Sequence, residues 1–95
     1  MMKTATKWDA SEYLETEEDM AAYLNAALED GDTSVIAAAL GDIARAKGMT
    51  QLSKETGITR DGLYKALSPT GNPSFDTVQK VVRAFGLKIG VIASA

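Results

Sequence analysis

The sequence predicts a mainly α-helical chain of five to six helices that ends in a short β-strand. Three observations predict it. Apolar residues recur at the i, i+3, i+4, i+7 spacing of one helical face; Ser, Thr or Asp precedes these runs and Gly follows them; and the period changes to two only near the C-terminus.

Residues 1–16 read as an N-terminal arm with Trp8, Tyr13 and Leu14 as its apolar contacts. Thr16 offers an N-cap, and Glu17, Glu18 and Asp19 fill a first turn where carboxylates favour the helix dipole. Met20, Tyr23, Leu24, Ala27 and Leu28 follow on one face, and Gly31 closes the helix near Asp30. Asp32 can cap a second helix with Ile36, Ala39, Leu40 and Ile43 on its apolar face and Gly48 at its end. Its many alanines allow a neighbouring helix to approach closely. Thr50 is placed to cap a short helix over 51–56 that Gly57 stops, and Thr59 to cap another from Arg60 to about Leu67. After the turn-forming cluster 68–73, Ser74 caps a helix carrying Phe75, Val78, Val81, Val82 and Phe85, which Gly86 ends. Tyr23, Phe75 and Phe85 are expected in the core. Over 87–94, Leu87, Ile89, Val91 and Ala93 alternate with Lys88, Gly90, Ile92 and Ser94, the pattern of a strand. No earlier segment offers it a partner, so it is expected to pair with a second copy or with a partner's sheet edge. Residues 17–95 are expected to form a single domain behind the arm.

Composition narrows the function. The 95 residues include no Cys and no His, which removes disulfides, thiolate nucleophiles, the usual zinc sites and imidazole catalysis together. No carboxylate pair has a neighbouring nucleophile, and no Gly-rich phosphate loop links a strand to a helix, so neither an enzyme nor a cofactor protein is expected. The longest apolar run, Val35 to Leu40, is far short of the ~18–20 residues of a membrane span. Lys3 and Lys7 lead into Trp8, Asp9 and Glu12 rather than an apolar signal region, so a cytoplasmic protein without membrane contact is expected. The net charge of −3 is unevenly distributed: residues 1–47 hold ten acids against four bases, a net −6, and residues 48–95 hold six bases against three acids, a net +3. Two faces with different partners are implied.

Two short capped helices joined by Gly57-Ile58-Thr59 have the geometry of a helix-turn-helix over 49–68. Gly57 can take the left-handed conformation the sharp turn needs. Leu52, Ile58, Leu63 and Ala66 would point inward; Ser53 sits at an inward position where Ala is expected, and Gly62 weakens the second helix by up to ~1 kcal/mol relative to Ala. Thr59, Arg60, Asp61, Tyr64 and Lys65 would face outward, where a recognition helix enters the major groove. Arg60 can read guanine bidentately, Lys65 suits a phosphate, and Tyr64 can serve either purpose. Thr50 and Gln51 would lie against the DNA backbone. One such helix offers few phosphate contacts, so a homodimer reading two half-sites is expected, built through the final strand or the helix 74–85.

Residues 40–90 resemble the Cro-like, xenobiotic-response-element type helix-turn-helix family, through Leu40-Gly41-Asp42-Ile43-Ala44-Arg45, Gly57-Ile58-Thr59-Arg60-Asp61-Gly62-Leu63-Tyr64-Lys65 and Gly71-Asn72-Pro73-Ser74-Phe75. Over roughly residues 9–90, with Tyr13-Leu14 and Met20-Ala21-Ala22-Tyr23-Leu24 upstream, the chain is similar to addiction-module antidote proteins related to the HigA antitoxins. The resemblance implies a λ-repressor-like fold and an antitoxin of a type II toxin–antitoxin pair. Such a protein binds a small basic RelE/ParE-like toxin and represses its own operon by binding operator DNA. Trp8, Glu12, Tyr13, Glu15 and Glu18 are the candidate toxin contacts, the acids by charge and Trp8 as an apolar anchor. The helix dipole accounts for Glu17, Glu18 and Asp19 equally well. Two alternatives stay open: a stand-alone transcriptional regulator of this type, and an interaction module that keeps the fold without binding DNA.

Overall fold

The computed structural model of the chain describes residues 13–94, in which the regular structure is five helices. These are α1 (Glu17–Asp30), α2 (Thr33–Lys47), α3 (Met49–Thr56), α4 (Arg60–Ala66) and α5 (Phe75–Ala84). Most of the expected arm, including Trp8 and Glu12, lies outside the described residues.

Local hydrogen bonds explain where four helices start. Thr16 and Asp19 form a reciprocal capping box, each accepting the other's backbone N–H, at 3.0 and 3.2 Å. Asp32, Thr59 and Ser74 accept from the backbone N–H of Ser34, Gly62 and Thr77 at 2.9, 3.0 and 3.1 Å. Thr50 does not act as expected. The third helix begins at Met49 with Gly48 as its N-terminal cap, because Gly48 both ends α2 and accepts the N–H of Leu52 at 3.0 Å. Thr50 is therefore inside the first turn and caps nothing.

The core is shared by every helix. Met20, Leu24 and Ala27 of α1 share one buried cluster with Leu40, Ile43 and Ala44 of α2, and Leu52, Leu63, Leu67, Val81, Val82 and Phe85 belong to it too. α1 packs on α2, while α3 packs against α2, α4 and α5. Full burial of an aliphatic or aromatic side chain contributes about 1.5–3 kcal/mol, so this cluster dominates the driving force.

Two expectations about apolar residues are corrected. Phe85 is fully buried and Tyr23 half-buried, but Phe75 is 67% exposed. Phe75 is the first residue of α5, and the buried stripe starts one turn later at Val78. The C-terminal strand is also absent: residues 87–94 hold no regular element, and no strand occurs among the described residues. A strand needs a ladder of backbone donors and acceptors opposite it, and helices have already paired theirs. Leu87 is tied to α5 through its N–H to Val82 O at 3.1 Å and packs on the core, whereas Val91 and Ile92 are 97% and 93% exposed. No described helix is long and apolar enough to cross a membrane.

Candidate functional site

α3 and α4 are locked together by their inward side chains. Leu52 and Leu63 are buried, with Ile58 and Ala66 packed half-buried beside them. Gly57 has φ 76°, so the link turns where a side chain would strain it. Ser53 occupies its inward position for a polar reason: its hydroxyl donates to Ile58 O at 2.6 Å and fastens α3 to the link. Ile58 N–H in turn donates to Thr56 Oγ1 at 3.2 Å. Gly62 is confined as well, since a Cβ there would lie 3.0 Å from Thr59 Oγ1 and 3.3 Å from Ile58 Cγ2.

This anchoring leaves Thr59, Arg60, Asp61, Tyr64 and Lys65 exposed on and before α4, and Thr50 and Gln51 exposed on α3. Among the described residues no carboxylate pairs with Arg60, so its guanidinium is available to a ligand. Lys65 is 3.7 Å from Asp61 one turn away, an exposed pair worth at most about 1 kcal/mol and readily exchanged for a phosphate. Gln51 donates to Glu55 Oε2 at 2.9 Å. The face can donate hydrogen bonds to base edges and phosphates, with Asp61 and Glu55 limiting its positive charge.

Of the candidate toxin contacts within the described residues, Tyr13, Glu15 and Glu18 are all exposed at the N-terminal end of α1. Glu15 and Gln51 line the same open hollow with Leu14, Lys47 and Glu55, so that end of α1 borders the start of α3.

A second constellation was not anticipated. The hydroxyl of Tyr23 donates to Asp42 Oδ2 at 2.6 Å, and Asp42 also accepts from the Arg45 guanidinium. Burial, reinforced by the hydrogen bond and charge of Asp42 and opposed by Arg45, pushes the Tyr23 phenol up to about 12. The i, i+3 spacing of Asp42 and Arg45 was the available sequence signal; Tyr23 lies 19 residues away, beyond any local pattern. Two glycines also admit close backbone contacts: a Cβ on Gly41 would lie 2.4 Å from Leu67 O, and one on Gly71 2.3 Å from Ala66 O.

Residues 4–93 match a family model described as "Probable addiction module antidote protein". The chain is 47% identical over 91 residues to an uncharacterized protein of Haemophilus influenzae (strain Rd), a match covering 96% of this chain and 94% of that one. No solved structure matches.

Proposed function

The chain belongs to the probable addiction module antidote family, and from that premise we propose that it is the antitoxin of a type II toxin–antitoxin module. An antidote implies a toxin partner and a regulatory rather than catalytic role. In this reading the partner is a small basic RelE/ParE-like toxin, and the protein works in the cytoplasm. It also binds operator DNA through a λ-repressor-like helix-turn-helix made by α3 and α4, and so regulates its own transcription. The observation that carries the DNA half is the row Thr59, Arg60, Tyr64 and Lys65, exposed at the cap and along a short helix whose opposite side is pinned by buried Leu63. Thr50 and Gln51 stand at the start of α3, where a helix-turn-helix meets the DNA backbone.

DNA binding of this kind calls for a homodimer. The exposed apolar residues Phe75, Ile89, Val91 and Ile92, on α5 and the segment after it, supply the surface. Pairing of the two C-terminal segments across a two-fold axis would give each the ladder it lacks among the described residues.

A second reading, an interaction module that does not bind DNA, is favoured by the net charge of −3 and by Asp61 beside Lys65. A stand-alone regulator without a toxin is the closer rival. Co-expression with the adjacent gene decides first: a stoichiometric basic partner that halts growth alone supports the antitoxin, and its absence leaves the stand-alone regulator. Binding to the protein's own promoter fragment, lost on Arg60→Ala with the fold intact, supports DNA readout over the interaction module.

A further inference from the structure

We propose that the toxin docks in the groove between α1 and α2, which continues along α2 to the end of α4; this inference rests on the antitoxin reading above. The α1–α2 part is a groove of about 420 Å3 walled by Ala26, Ala38, Ala39 and Val35 and bounded by Tyr23, Asp30 and Asp42. A hollow of about 260 Å3 shares Ala38 and Asp42 with it and reaches Tyr64 and Ser68. Val35, Ala38, Asp42 and Arg45 follow one another at the three- and four-residue steps of a single helical face, so the two depressions adjoin along that face of α2.

The lining of the α1–α2 groove is mostly alanine and valine, with Asp30 and Asp42 as its acids. Val35 is an exposed large apolar residue of α2, at the end nearest the α1–α2 corner. Glu29, Asp30 and Asp32 crowd that corner, and among the described residues no cation pairs with any of them. This combination fits a protein segment with an apolar row flanked by Lys or Arg, which the acids would steer and the alanine floor would admit. Nucleic acid is disfavoured because the same acids oppose phosphate.

The test is calorimetric titration of the toxin encoded by the adjacent gene into the purified chain. Ala38→Arg, which fills the groove, and Val35→Lys, which adds a like charge at its mouth, are each expected to weaken binding at least about tenfold. Lys54→Ala, at an exposed position of α3 that lines neither depression, is expected to leave it within about twofold. If both groove variants bind as the wild type does, the groove is rejected while the antitoxin reading stands; if the wild type itself fails to bind, that reading falls and the groove with it. Hydrogen exchange on the wild-type complex gives an answer that no misfolded variant can obscure. Slowed exchange of amides 33–42 on toxin binding is expected, and unchanged exchange there overturns the assignment.

Discussion

The phenol of Tyr23 on α1 and the carboxylate of Asp42 on α2 meet at 2.6 Å and, with Arg45, form a chain that ties the first two helices along the flank of the core. The neutral phenol is the donor, so this link depends on the proton that burial and Asp42 hold in place. Unfolded tyrosine titrates near 10, and here the group is pushed up to about 12.

Tyr23→Phe should therefore cost about 0.5–1.5 kcal/mol at neutral pH, the net value of one hydrogen bond. A folded pKa above the unfolded one means the contribution is whole below pH ~10 and is lost as pH rises through about 12. The stability gap between wild type and variant should thus narrow in urea titrations at pH 11 relative to pH 7. A gap of equal size at both would show that the phenol's proton is not what holds the link.

Gly41→Ala is expected to destabilise by about 1–3 kcal/mol, although Ala is the better helix former by ~1 kcal/mol. The added methyl would meet the backbone oxygen of Leu67 at 2.4 Å, and that carbonyl cannot rotate away as a side chain could. Thermal unfolding measures it. A variant as stable as wild type would mean that α2 and the end of α4 separate at little cost.

How much of this was legible beforehand divides along physical lines. The caps Thr16, Asp32, Thr59 and Ser74 could be read because their partners are two or three residues away. Thr50 misled because a cap is defined by where the helix begins, and Gly48 serves two helices at once. The outward set on α4 was readable because burial of Leu63 fixes the phase of a seven-residue helix. Tyr23 with Asp42, and Gly41 against Leu67, join positions 19 and 26 residues apart that no local period connects. The strand over 87–94 failed for the same reason: alternation describes a strand, but pairing creates one, and a single chain supplies no pair.

Thr59 and Arg60 are neighbours with separable roles. Thr59→Ala removes the cap of α4 and should cost about 1 kcal/mol of stability. Arg60→Ala should leave the melting temperature within about a degree yet weaken operator binding by about 1–3 kcal/mol if it reads a base. Lys65→Ala, losing a phosphate contact, should instead weaken all DNA sequences alike and lower the salt slope by about one. Fluorescence titrations at several salt concentrations distinguish the three, and equal DNA affinity for wild type and both basic-residue variants would favour the interaction module.

The C-terminal segment offers the sharpest test of the dimer. Ile89, Val91 and Ile92 are exposed, and Ile89 lines a hollow with Leu87 and with Gln79 and Val82 of α5. An apolar segment without a partner among the described residues is a surface that association would cover. Val91→Asp combined with Ile92→Asp places charge where that cover would form, while both side chains are too exposed to support the monomer fold. Sedimentation should show a dimeric wild type and a monomeric variant with unchanged helical content. Operator affinity should fall with dimerisation, because a monomer contacts one half-site and loses the phosphate contacts of the second. If the variant stays dimeric, the segment is not the contact, and the exposed face of α5 around Phe75 becomes the surface to alter next.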